Sequence, residues 1–152
     1  MDAVTHPHEE VVREVVRLFT PLRLNVLKQR EEAKRFSAAW TPIDLVLRQS
    51  GEGLPSRFSQ GWLAPASFVA ELKLGRIFLA LEERRYEEAR RLSREVVASD
   101  ADRERRGEAR YWEAIAHYRG TGRIENLHEG LDLVRRDFSD TAAARKLSYP
   151  ST

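Results

Sequence analysis

Apolar and polar positions alternate along this chain with two periods, and the change between them divides it. From His8 to Phe19, Val11, Val12, Val15, Val16 and Phe19 form one stripe, with Glu9, Glu10, Arg13, Glu14 and Arg17 on the other side. That spacing predicts an amphipathic helix, which Thr20-Pro21 stops. Leu22, Leu24 and Val26 alternate with Arg23 and Asn25, the pattern of a strand. A short polar helix over Lys28–Phe36 follows, with Ala33 and Phe36 inward. Ile43–Leu47 reads as a second strand ended by a turn at Ser50-Gly51-Glu52-Gly53, and Arg57–Gly61 as its hairpin partner.

From Pro65 onward the period is helical throughout. Ala64-Pro65 opens a helix running to about Glu83, with Phe68, Leu72, Ile77, Leu79 and Leu81 on its apolar side. Arg84-Arg85 breaks it, and the next helix starts at Tyr86 and carries Leu92, Val96 and Val97. A polar stretch, Ser99–Arg106, precedes an aromatic-rich helix through Tyr118, ended by Gly120-Thr121-Gly122. Ile124, Leu127, Leu131, Val134 and Phe138 predict one more helix, and a short Ala-rich run leads to Tyr149-Pro150. The fold class is therefore α+β, mostly α, with about three strands.

Composition narrows the chemistry. With 152 residues and 41% apolar content the chain can bury a core, as one compact domain or two small units sharing an interface. Charged residues make up 33%, yet the net charge is only +2, so both signs are interspersed. There is no cysteine, which excludes disulfides, thiolate nucleophiles and thiolate zinc sites within this chain. No apolar stretch approaches the roughly 20 residues of a membrane helix. The N-terminus has no secretory pattern, so no membrane association and a cytoplasmic location are expected.

Few residues suggest a site. His6 and His8 stand beside Glu9 and Glu10, and Glu125 and His128 are spaced i, i+3, but a solvated polar face explains both groups better than a metal. Neither metal, cofactor nor catalytic residue is assigned. Asp44 at the start of an apolar strand is unusual: it faces a site region or sits at a strand end, and the strand end is the preferred reading. The Arg pairs at 84–85, 90–91, 105–106 and 135–136 alternate with acidic residues, so salt-bridged helix faces are expected there in preference to a nucleic-acid surface. Tyr111, His117 and Tyr118 are candidates for a groove in the helical half, with Trp112 in the core.

The order helix, strand, helix, Thr41-Pro42, strand, hairpin strand, helix resembles the later part of a thioredoxin fold. The resemblance covers about residues 1–75 and implies a cis Thr41–Pro42 bond before a strand, with Trp40, Thr41 and Pro42 forming a surface that holds extended peptide. The family's first strand, first helix, second strand and Cys pair have no counterpart, so its thiol–disulfide activity is not expected of this chain. Without the family's second strand, two arrangements are open. The strands at 22–26 and 43–47 pair directly, or a second chain pairs with the exposed edge to give a homodimer. Arg85-Tyr86-Glu87-Glu88-Ala89 and Trp112 through Gly122 resemble parts of tetratricopeptide repeats, with Arg85 and Gly122 as equivalent turn positions. That implies helical hairpins over 65–152, sharing the helix at about 65–83 with the first unit. The combination implies a non-catalytic interaction or scaffolding module with a protein or peptide partner. The alternatives are the C-terminal portion of a thiol–disulfide oxidoreductase whose CxxC lies upstream of Met1 and, more remotely, an Arg-rich nucleic-acid-binding protein.

Overall fold

A computed structural model describes residues 4–38, 40–51 and 55–147. Glu52 and Gly53 of the expected turn, Met1, and Tyr149-Pro150 lie outside the described residues. The elements in order are α1 (Glu9–Leu18), α2 (Arg30–Arg35), β1 (Ile43–Val46), β2 (Arg57–Gln60), α3 (Pro65–Glu82), α4 (Tyr86–Val97), α5 (Arg103–Thr121), α6 (Ile124–Asp137) and α7 (Ala142–Lys146). The protein is thus mostly helical with a small antiparallel sheet.

The fold is centred on α3. Its sequence, PASFVAELKLGRIFLALE, is apolar around most of its circumference, and a helix of that kind must be covered on all sides. Pro65 occupies the first turn, where its missing N–H leaves no helical bond unmade. One side of α3 packs on α1 and the hairpin, the other on α4 and α5. Phe68, Val69, Leu72 and Leu79 meet Val11 and Val46 in one cluster. Ala70, Leu74, Ile77, Ala80 and Leu81 meet Ala89, Leu92, Val96, Ala109 and Ala116 in the other. Gly75 lets the sheet approach, since a Cβ there would stand 2.7 Å from Val46 Cβ and 2.8 Å from Arg57 Cβ.

Two charged residues of α3 are buried with it, and each is matched by neighbours. Glu71 accepts from Arg57 Nε on β2 at 2.5 Å and from Arg105 Nε on α5 at 2.7 Å. Arg57 also spans to Glu108 of α5 with two bonds of 2.8 and 2.9 Å. Burial works against charge on Arg57, yet Glu108 and Glu71 outweigh it and raise its pKa further above the ordinary value. On the other flank Lys73 Nζ lies 3.2 Å from Glu14 of α1 and 3.0 Å from Glu95 of α4. Arg17 joins the same two carboxylates at 2.5 and 2.9 Å. Burial alone would raise the pKa of Glu14 and Glu95. Arg17 and Lys73 at Glu14, and Lys73, Arg17 and Arg91 at Glu95, reverse that and hold both below the ordinary 4.5.

This second network corrects the expected orientation of α1. Glu14, read from the sequence as solvent-facing, is buried, while Val12 and Val16 of the apolar stripe are exposed, Val16 at 71%. The helix is turned so that Val11, Val15 and Phe19 meet the core and Glu14 meets Lys73. Turned the other way, α1 would withdraw one of the two carboxylates that meet Lys73, and the two exposed valines are the cost of keeping it there.

The sheet also differs from expectation. Residues 22–26 form no strand, and among the described residues the sheet is two-stranded, β1 against β2. Instead Asn25 makes a turn: its Oδ1 accepts from the backbone N–H of Leu27 and Lys28, at 3.0 and 3.3 Å. That local bond competes with ladder formation, and Leu22 points into solvent. The Lys28–Phe36 helix is shortened to α2 at its N-terminal side.

Beyond α3 the helices form antiparallel hairpins. α5 starts inside the stretch expected to be a linker, because Asp102 caps it by accepting from Arg105 N at 3.1 Å. Gly122 ends α5 with φ +71, and Arg84 takes the same left-handed conformation, φ +58, between α3 and α4. Each stands one residue before the N-cap of the following helix, Arg85 and Arg123. The position equivalent to Gly122 is therefore Arg84, not Arg85 as the sequence suggested.

Two outcomes follow for stability. Arg84→Gly removes the left-handed penalty of a residue with a Cβ, partly offset by glycine's entropy, and is expected to stabilise by roughly 0.5 kcal/mol in urea titration. Lys73→Met takes one of two shared cations from Glu14 and Glu95 and leaves Arg17 to hold both. A loss of about 1–2 kcal/mol, below that of a wholly uncompensated buried charge, is expected, part of it recovered by adding Glu14→Leu. Because Glu14 and Glu95 are lowered in the folded state, their stabilisation is present above 4.5 and is lost as pH falls through their folded values.

Candidate interaction surface

The hairpin has two unlike faces. The register pairs Ile43 with Gln60, Asp44 with Ser59, Leu45 with Phe58 and Val46 with Arg57. Val46 and Arg57 face Gly75 of α3, so Asp44 and Ser59 share their side by strand alternation. Ile43, Leu45, Phe58 and Gln60 take the opposite face, where Phe58 is 48% exposed. At the open end Gly61 N donates to Pro42 O at 3.0 Å, which places Trp40 and Trp62 on either side of the same junction. They are 70% and 62% exposed, Thr41 is exposed, Pro42 is half-buried, and the Thr41–Pro42 bond is cis.

Exposed apolar surface is concentrated in this half of the molecule. Among the described residues nine large apolar side chains are exposed, and eight of them precede α3: Val4, Val12, Val16, Leu22, Leu27, Trp40, Phe58 and Trp62. Only Ile124 lies in the helical half. The sequence pointed to Trp40, Thr41 and Pro42 but missed Phe58 and Trp62. The alternation of Arg57, Phe58, Ser59 and Gln60 was the available signal, since a buried Arg57 forces Phe58 outward.

The aromatic residues of α5 are placed differently. Trp112 is half-buried edge-on to Phe78, ring centroids 4.6 Å apart, and its Nε1 donates to Glu108 at 3.4 Å. Tyr111 packs against Val134, Ala143 and Ala144, and edge-on to Trp112. His117 lines a shallow depression of about 100 Å³ between α5 and α6 with Arg110, Glu113, Asn126 and Glu129. Tyr118 is half-buried. The backbone of α5, which carries all four, packs on α3, α4, α6 and α7 and not on either strand of the hairpin, so these residues form no common surface with Trp40, Thr41 and Pro42.

Six of the eight paired arginines are engaged in ion pairs, and Arg106 donates instead to Val97 O at 2.9 Å. Arg85 bonds Glu83 and Glu88, Arg90 bonds Glu87, Arg91 bonds Glu95, Arg105 bonds Asp102 and Glu71, and Arg135 and Arg136 bond Asp132 and Asp137. Among the described residues no three His, Asp or Glu side chains gather in a metal-binding group. No helix among them is long and apolar enough to cross a membrane. The chain matches no family model, no curated protein and no solved structure.

Asp44 is the second residue of β1, close to the strand end as expected, but it is not left in solvent. It sits on the inward face of β1, 18% exposed at the side chain, with His6 Nε2 3.8 Å from its Oδ1. Its Oδ2 has no hydrogen-bond partner, nor does Ser59 Oγ across the strand. Burial raises the Asp44 pKa, with Glu71 adding to it and His6 opposing. The segment that brings His6 here is anchored by Thr5, fully buried, whose Oγ1 donates to Leu63 O at 2.7 Å.

A raised folded pKa favours the folded state at pH below the unfolded value near 3.9, and that advantage is lost as pH rises through the folded value. Asp44→Asn is therefore expected to stabilise the protein by about 1 kcal/mol at neutral pH, the scale of a buried unsatisfied group, and to do nothing near pH 3. Urea titrations at the two pH values measure the difference.

Proposed function

We propose that this chain is a non-catalytic protein–protein interaction module. In this reading a thioredoxin-like unit, α1 through the hairpin and α3, presents the docking surface. Tetratricopeptide-like helical hairpins continue from α3 and act as its scaffold. The observation that carries the reading is the segregation of exposed large apolar side chains: among the described residues, eight of nine precede α3. Exposed aromatic residues clustered at one place characterise protein-binding surfaces more than plain solvent-facing ones. Trp40 and Trp62, flanking the Thr41-Pro42 junction, are the anchors, and an extended apolar segment of a protein partner is the ligand. The absence of cysteine removes thiol chemistry from this surface. The reading keeps the expected cytoplasmic setting.

Peptides selected on the immobilised protein from a random library provide the test. Trp40→Ala with Trp62→Ala is expected to weaken the selected peptides at least tenfold, the scale of a lost aromatic hot spot. Tyr118→Ala should leave their affinity unchanged. Recovery of no peptide above background, or of peptides indifferent to the double substitution, would refute the reading.

A further inference from the structure

The short helix that leads toward Trp40 carries charge that its own fold does not use. α2 packs on no other helix or strand, and none of its residues is buried. Arg30 and Lys34 are exposed one turn apart on the same face, and among the described residues neither meets a carboxylate. Like charges so placed weaken a helix, and Arg30 opens it, where a cation also opposes the dipole. Glu31 and Glu32 project from other faces by helical spacing and leave this pair uncompensated. Most arginines beyond α3, by contrast, bond a carboxylate.

The pair stands beside the proposed docking surface. Arg35, the last residue of α2, donates through Nη2 to Gly51 O at 2.6 Å, and its guanidinium lies over the Phe36 ring. Gly51 belongs to the loop end of the hairpin, between β1 and β2. The bond from Gly61 N to Pro42 O closes the open end, next to Trp40 and Trp62. Cations and tryptophans thus mark opposite ends of the hairpin, with the exposed Phe58 between them.

We propose that the segment docking here is an acidic one: an extended peptide of a protein partner that carries carboxylates at a fixed distance from its apolar anchor. Trp40 and Trp62 take the apolar side chain. Arg30 and Lys34 take an acidic residue roughly four to six positions away, at about 3.3 Å per extended residue. The inference deepens the interaction-module reading and rests on it for the partner being a protein. Charge complementarity selects the occupant, since two unpaired cations at the border of an apolar surface favour anions and repel basic segments. A nucleic-acid strand is the other anionic candidate. It would need cations that track successive phosphates, whereas this face offers two, on a helix that also bears Glu31 and Glu32. One or two peptide carboxylates match that number.

The test uses the full chain and labelled peptides selected on it from a random library, with binding read by fluorescence anisotropy. Selected peptides are expected to carry Asp or Glu at a fixed offset from an apolar residue. Arg30→Glu with Lys34→Glu is expected to weaken them about tenfold at low salt, with helix content unchanged by circular dichroism. The same peptides with Lys at the acidic positions should bind that variant more tightly than they bind the native chain. Such reciprocal rescue reports direct contact, which a merely structural effect of the substitutions would not give. Peptides that need Trp40 and Trp62 but carry no acidic residue, or that bind the variant as tightly, would overturn this inference and leave the interaction reading standing. Absence of any selected peptide would refute both. A single-stranded oligonucleotide that binds more tightly than the peptides and is lost in the variant would give the cations to nucleic acid. A dimer in sedimentation that the variant dissociates would give them to a second copy, and either result overturns the acidic peptide.

Discussion

The constraint on which the structure depends is that α3 has no solvent face to spare for its two buried charges. Glu71 and Lys73 lie two residues apart on a helix covered from several sides, so they point to different neighbours. Each neighbour must supply the opposite charge or the helix carries an uncompensated ion into the interior, which costs several kcal/mol. Arg57 and Arg105 come to Glu71 from the hairpin and α5, and Glu14 and Glu95 come to Lys73 from α1 and α4. Apolar burial brings the elements to α3, and the charges fix how each one is turned.

That turning determines the surface. Once Glu14 is directed at Lys73, Val12 and Val16 are left outside. Once Arg57 reaches between Glu71 and Glu108, Phe58 faces outward. The helical half needs no such compromise: its charges pair along and between helices, and its surface stays polar. The same arrangement that stabilises the core thus leaves the apolar surface in the N-terminal half, beside the Thr41-Pro42 junction.

Much of this was legible in the sequence and part was not. The helices from Pro65 onward were readable because their periodicity is sustained and their turns carry Gly or a charged break. The hairpin strands were readable from their alternation. Residues 22–26 misled because Leu22, Leu24 and Val26 alternate as a strand would, while Asn25 closes a local turn that alternation does not register. The start of α5 was hidden because Arg103–Arg106 are polar, and only the capping geometry of Asp102 marks it. The orientation of α1 could not be read from α1 itself, since the residue that decides it, Lys73, is 59 positions from Glu14. Asp44 was legible as an anomaly, but its burial follows from which face of the hairpin meets Gly75. Of the candidate surface, Trp40, Thr41 and Pro42 were visible as a junction. Tyr111 and His117 stood out as aromatic or polar side chains on a helix, but packing against α6 and α7 takes them away from that junction.

Native-state hydrogen exchange tests the central role of α3 most directly. If α3 is the element on which the others converge, its amides over 68–81 exchange only through global unfolding, at the same free energy as the most protected amides of α4 and α5. Residues 20–36 then exchange far earlier, through local opening. Exchange of α3 through a partial opening that leaves α4, α5 and α6 protected would make it a peripheral helix and contradict the account.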